Sequence, residues 1–157
     1  MSTTIPAGRL QMADLAPRAL AAMARVEAAL ELDARLHELV RLRASQLNGC
    51  AFCIDMHWKD ARAAGEPEER LYMLDAWYDC PLYDARERAA LALCEAMTHI
   101  ADGHVPDEVW HEAAATFAPE ELAQLVMAIT AINAWNRISI TTRREPGHYR
   151  PGAFAAA

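Results

Sequence analysis

Glycine is scarce in this 157-residue chain, with 6 in all, and aromatic side chains make up only 7%. Runs of β-branched residues are almost absent, so the material that favours strands is missing. No apolar stretch reaches the roughly 20 residues that span a bilayer. No positively charged start followed by an apolar run stands at the N-terminus either. Positive charge is the minority sign. Fifteen Lys and Arg against 22 Asp and Glu give a formal net charge of −7, which argues against nucleic acid or an anionic membrane as a partner. There is no glycine-rich phosphate loop, no serine-nucleophile motif, no repeat and no low-complexity linker. These absences predict a cytoplasmic protein with no cofactor, no nucleic-acid partner and no membrane association.

What the chain has in quantity is small apolar side chains. Hydrophobic residues are 54% of the sequence, many of them alanine, a mix suited to closely packed helices. The length suits one domain over 1–157, with its core over about 15–143 and a short arm at each end. Asp14 is placed to cap a first helix to about Leu30, with Leu20, Met23 and Ala24 inward and Pro17 in its first turn. Asp33 can cap the next helix, to Asn48, whose apolar stripe is Leu36, Leu39, Val40 and Leu47, with Arg43 intruding. Further helices are expected from Pro67 to about Tyr78 and, behind an Asp84/Glu87 capping box, to about Asp102 before Gly103. Two more run from Pro106 to Phe117 and from Pro119 to about Thr141. Between Leu122 and Ile132 only Gln124 and Thr130 interrupt an apolar run, so that helix needs cover on every side. The bundle centre and a subunit interface together would supply it.

The chemistry concentrates between Glu38 and His57, in ELVRLRASQLNGCAFCIDMH. Asn48-Gly49 should stop one helix, because Gly accepts the left-handed C′ conformation. The next then starts at about Cys50 and runs to Gly65. That puts Cys50 and Cys53 in a first turn, where unpaired N–H groups and the helix dipole favour a thiolate. Spacing i, i+3 also suits a disulfide. At 100° per residue, Cys50, Cys53 and His57 share a face with Ile54, Ala61 and Ala64, while Asp55, Lys59 and Arg62 lie opposite. His57, one turn beyond Cys53, can take its proton or stabilise its thiolate.

Two other readings stand beside this one. Two cysteines and a histidine are three ligands of a zinc site, with Cys80, Cys94 or His99 as the fourth, though none forms a second pair at zinc spacing. The second alternative makes the cysteines inert core residues. Glu38 lies roughly opposite the apolar stripe of its helix, beside Arg41 and Ser45, so periodicity makes it solvated and paired with Arg41 at i+3. Cys80 reads as a loop thiol and Cys94 as core, and neither receives a role. His99 and His104 read as surface or cap residues.

A glutamate, a C-x-x-C twelve residues on and a histidine four residues after that form a pattern. It resembles the signature of the alkylhydroperoxidase D-like branch of the carboxymuconolactone decarboxylase family. The similarity continues through PLYDARERAALAL, IADGHVPDEVW and AINAWNRI and covers most of residues 15–143. One departure is Phe52, where the best-known members carry a second histidine, so proton transfer through that position is absent. The resemblance implies an all-α bundle of about seven helices, assembled as a homotrimer or a hexamer of trimers. It also implies a thiol peroxidase. Cys50 and Cys53 would cycle between dithiol and disulfide, His57 and Glu38 would move protons, and an external dithiol, dihydrolipoamide-like or thioredoxin-like, would restore the thiols. No metal is expected. The first-turn argument favours Cys50 as attacker, being nearer the helix end and more exposed. The neighbouring base and the resemblance favour Cys53, which is assigned the attack. Two other functions are kept open: a decarboxylase acting on a lactone acid, whose relatives lack the C-x-x-C, and a non-catalytic, redox-sensing oligomeric module.

Overall fold

The structure, a computed structural model, describes residues 8–154. Every regular element among them is helical. These are α1 (Met12–Leu15), α2 (Pro17–Ala28), α3 (Ala34–Asn48), α4 (Ala51–Ala63), α5 (Glu68–Tyr72) with a 3₁₀ continuation Met73–Ala76, α6 (Ala85–Thr98), α7 (Asp107–Thr116) and α8 (Pro119–Thr142). The all-α expectation holds. Eight helices replace the expected seven because the first one breaks at Ala16, with φ −137° and ψ 49°. The cause is Pro17, whose ring disfavours the helical region for the residue before it and then suits the first position of α2. Asp14 therefore lies inside α1, and Gln11 takes the N-cap position without a side-chain bond. Part of the expected N-terminal arm lies outside the described residues. In its described part Arg9 N–H donates to the Thr142 carbonyl at 2.9 Å.

The other caps follow the local chemistry. Asp33 accepts from the Leu36 N–H at 3.0 Å, and Asp84 and Glu87 form the reciprocal capping box. The helix behind that box stops at Thr98, not Asp102. Residues beyond it form turns, and the left-handed positions are Gly103 (φ 110°) and His104 (φ 64°). His99 and His104 are exposed.

Helix α3 is the axis of the bundle and packs on α4, α6 and α8. Leu36, Val40 and Ala44 meet Ala89, Leu93 and Cys94 of α6 and Leu125, Ile129 and Ile132 of α8. On its other side Leu39 and Leu42 meet Leu71, Leu74, Trp77, Cys80 and Leu91. Each of these large side chains, truncated to Ala, should cost about 2–5 kcal/mol. Arg43 is buried on the same face with its guanidinium paired: Nε donates to Glu95 at 2.8 Å and Nη1 to Asp75 at 2.6 Å. Within one chain the bundle covers only part of the apolar run of α8. Leu122, Leu125, Ala128, Ile129 and Ile132 are buried, while Ala123 and Thr130 are exposed and Met127 is 46% exposed within the single chain.

Candidate functional site

The site begins at the joint between α3 and α4. Gly49 caps α3 in the left-handed conformation, φ 68°, which a side chain would resist. Its N–H and that of Cys50 close the end of α3 on the carbonyls of Gln46 (3.0 Å) and Ser45 (2.9 Å). Asn48 ties this joint to α8. Its Nδ2 donates to the Oδ1 atoms of Asn133 and Asn136, both at 2.9 Å, and Asn136 donates in turn to Ser45 Oγ at 3.0 Å. A buried, satisfied amide network of this kind fixes geometry, since any misplacement strands a polar group.

Cys50 is the N-cap residue of α4 and Cys53 lies in its first turn. The two are joined as a disulfide with Cα atoms 5.3 Å apart. Both are 1% exposed and pack with Phe52 and Met56. The expectation that Cys50 is the more exposed of the two is not met, because that small apolar cluster closes over both. One turn further, on the face shared with Ala61, His57 is also buried. Ala64, expected on that face, is exposed, as are Arg62 and Ala63 before it.

Glu38 reaches His57 across the α3–α4 contact, with His57 Nδ1 2.9 Å from its Oε2. Its Oε1 accepts from Arg41 Nη1 at 2.6 Å, and the other arm of Arg41 is held by Glu27 of α2. The i, i+3 pair read from periodicity is present, yet the carboxylate is not solvated, because α4 covers it to 15% side-chain exposure. Burial pushes its pKa up, but the imidazole and guanidinium outweigh that and hold it at about 2. An ionised carboxylate only accepts, so Nδ1 of His57 carries the hydrogen. The lone pair of the neutral ring is therefore on Nε2, a buried atom without a hydrogen-bond partner among the described residues.

The other thiols stay apart from this centre. Cys94 is fully buried, its Sγ 3.5 Å from the Val40 carbonyl, and burial pushes it up to about 12. Cys80 is in a loop, as expected, but packed into the core beside Trp77. Neither they nor His99 join Cys50, Cys53 and His57 in a set of converging ligand atoms among the described residues. Glu38, His57 and Asp60 do bring one ligand atom each within 4.8 Å of one another. A cation there would compete with Arg41 and Tyr149, which already occupy the two carboxylates.

Sequence reasoning missed Asp60 and everything contributed by the segment after α8. Asp60 had a signal, its i+3 spacing from His57. The segment had none that periodicity carries. From Arg143 (φ 54°) it turns back along α4. The Gly147 N–H donates to Asp55 at 3.0 Å, and Lys59 Nζ donates to the Tyr149 carbonyl at 3.3 Å. The Tyr149 hydroxyl lies 2.9 Å from both oxygens of Asp60. Cζ of Arg144 sits 3.8 Å from the Phe52 ring centroid. Where a second histidine would stand between the cysteines, this chain has an aromatic ring under a guanidinium.

Known proteins provide a frame for this geometry. Residues 14–96 match the carboxymuconolactone decarboxylase family. The uncharacterized protein YdfG of Bacillus subtilis is 43% identical over 135 residues, which span 84% of this chain and 92% of that one. The crystal structure of an Agrobacterium tumefaciens protein of unknown function, suggested to be the antioxidant defence protein AhpD, superposes with a TM-score of 0.88. Its identity is 36%, with 91% of this chain and 100% of that one covered. A peroxidase-related protein from Silicibacter sp. TM1040 shares the fold, with a TM-score of 0.75 at 21% identity over 88% of this chain and 75% of that one.

Proposed function

The chain belongs to the alkylhydroperoxidase D-like branch of the carboxymuconolactone decarboxylase family, and from that premise we propose that it is a thiol peroxidase reducing hydroperoxides. The observation that carries the reading is the His57 ring. Its Nδ1–H is committed to Glu38 at 2.9 Å, which leaves Nε2 as a base one turn from Cys53 in a water-poor setting. In the reduced protein His57 takes the Cys53 proton. The thiolate attacks one peroxide oxygen, the O–O bond breaks, and the alkoxide leaves with the proton that His57 returns, giving a Cys53 sulfenic acid. Cys50 then attacks that sulfur, its own proton goes to the departing hydroxide, and water leaves as the disulfide forms. Glu38 stays ionised throughout, orienting the ring and stabilising its charged form.

Two electrons and two protons must return from an external dithiol, dihydrolipoamide-like or thioredoxin-like, by thiol–disulfide exchange. The uncovered side of α8, with Met127 46% exposed, favours a homo-oligomer, a trimer or a hexamer of trimers. No helix among the described residues is long and apolar enough to cross a membrane, which accords with a cytoplasmic setting.

The test counts free thiols in the reduced protein before and after one equivalent of peroxide, then measures turnover with each class of dithiol. Loss of two thiols per chain, leaving Cys80 and Cys94, with sustained turnover is expected. Oxidation without turnover would make the protein a redox sensor, and no loss of thiols would overturn the reading.

A further inference from the structure

Two carboxylates, one imidazole and one phenol meet beside the disulfide, and the chemistry above uses only half of them. Glu38 is held ionised by Arg41 and His57, which suits an anchor and ill suits a carrier that must bind and release protons. Asp60 lies in the same cluster, one of its oxygens within 4.8 Å of the ligand atoms of Glu38 and His57. It has no cationic partner among the described residues. Its hydrogen-bond partner is a neutral donor, the Tyr149 hydroxyl at 2.9 Å from each oxygen. His57 from α4 and Glu38 with its Arg41 from α3 are the charged or titratable groups that face it, and Tyr149 faces it from the returning segment.

We propose that Asp60, oriented by the Tyr149 hydroxyl, is the group through which the buried His57, held by Glu38, exchanges protons with solvent. The inference rests on the thiol–disulfide reading. Each reductive half-cycle needs two protons to reach the sulfurs of Cys50 and Cys53, both 1% exposed. Of Glu38, His57 and Asp60, only His57 is buried; Asp60 is partly exposed and brings a carboxylate oxygen within 4.8 Å of the ligand atoms of His57 and Glu38. Burial lifts its proton affinity, the Tyr149 hydrogen bond works against that, and the nearby Glu38 charge adds to the rise; the net direction is opposite to that of Glu38. Tyr149 is itself pushed up to about 12 by burial and by Asp60, so it stays protonated and donates, fixing the carboxylate without titrating. Tyr149 is thus a positioning residue for Asp60, and Asp60 acts on the sulfurs only through His57.

The experiment follows reduction of the disulfide by dithiothreitol in stopped flow between pH 5 and 9, for the full chain and for Asp60→Asn, Asp60→Glu and Tyr149→Phe. This half-reaction needs no peroxide, so it judges the inference even if peroxide turnover of the unaltered chain were to fail. Asp60→Asn is expected to slow reduction about 10-fold or more at pH 7 and to change the pH profile and the solvent deuterium isotope effect. Asp60→Glu should restore most of the rate, and Tyr149→Phe should lower it by a smaller factor with the profile displaced. Thermal melts of each variant separate folding from chemistry. A folded Asp60→Asn with unchanged rate, profile and isotope effect would overturn the proposal. So would a variant set in which every rate loss merely tracks a loss of stability, with no change of profile.

Discussion

Replacing Glu38 by Gln removes one charge and keeps the shape, so its effect on folding and on chemistry can be worked out separately. In the folded chain Glu38 titrates at about 2 instead of 4.5. At ~1.36 kcal/mol per pH unit, that difference puts the advantage of the charged over the neutral side chain at about 3 kcal/mol. The sign follows from linkage: the stabilisation is present above the ordinary carboxylate value and is lost as pH falls toward 2. Gln imitates the neutral form, so at pH 7 the variant should lose at most about 3 kcal/mol, out of the ~5–15 typical of a domain, and remain folded. In the reaction, a charge-assisted bond to a charged imidazole becomes a neutral one, a loss of about 1–3 kcal/mol. That converts to roughly 5- to 150-fold in kcat/KM, overlapping the lower part of the ~10²–10⁴ range of groups that transfer the proton themselves. The assay pairs urea unfolding with peroxide turnover in excess dithiol. Full turnover by a folded Glu38→Gln protein would return Glu38 to the role that its helical position alone suggested, an exposed partner of Arg41.

Three further outcomes are expected. After a one-equivalent peroxide pulse, a sulfenic-acid trap read by mass spectrometry should label Cys53 in Cys50→Ser; labelling of Cys50 in Cys53→Ser, with none in the reverse variant, would show that the roles are exchanged. His37 is held at about 4, first by burial and then by Arg41, so the native chain resists a proton that the unfolded chain binds. Stability should therefore rise with pH between about 4 and 6.5, by about 3 kcal/mol at ~1.36 kcal/mol per pH unit; a urea series in which His37→Gln keeps the same slope would contradict this. Light scattering coupled to size exclusion should give a multiple of the 17.4 kDa chain mass, and a monomer at micromolar concentration would refute α8 as an interface.

The sequence made the local punctuation legible because caps and stops are short-range chemistry. Asp33, Gly49 and the Asp84/Glu87 pair do in the structure what their neighbours in sequence demand. The Ala16 break is equally local, written in Pro17, which marks a boundary and not merely a first-turn position. What periodicity misplaced was Glu38, because a helical wheel knows one helix and this side chain is buried by a second. It was the resemblance to a known family that set Glu38 with His57, and the two lie 2.9 Å apart. Asp60 was within reach of its i+3 spacing from His57. Tyr149 and Arg144 were not, since they meet α4 across some 90 residues of chain through a segment without regular structure. Arg43 looked like an error on an apolar stripe until Glu95 and Asp75, from two other elements, answered it.

The burial of both sulfurs also has a kinetic consequence. With Cys50 and Cys53 each 1% exposed, a bulky reagent reaches them only in molecules that have opened locally. Its observed rate is then a competition between reaction and reclosing. At low concentration it grows in proportion to the reagent and reports the open population; at high concentration it levels off at the opening rate. That plateau belongs to the protein alone. Chemically unrelated bulky dithiols should therefore saturate at one common ceiling, while a reagent small enough to enter the closed form should exceed it.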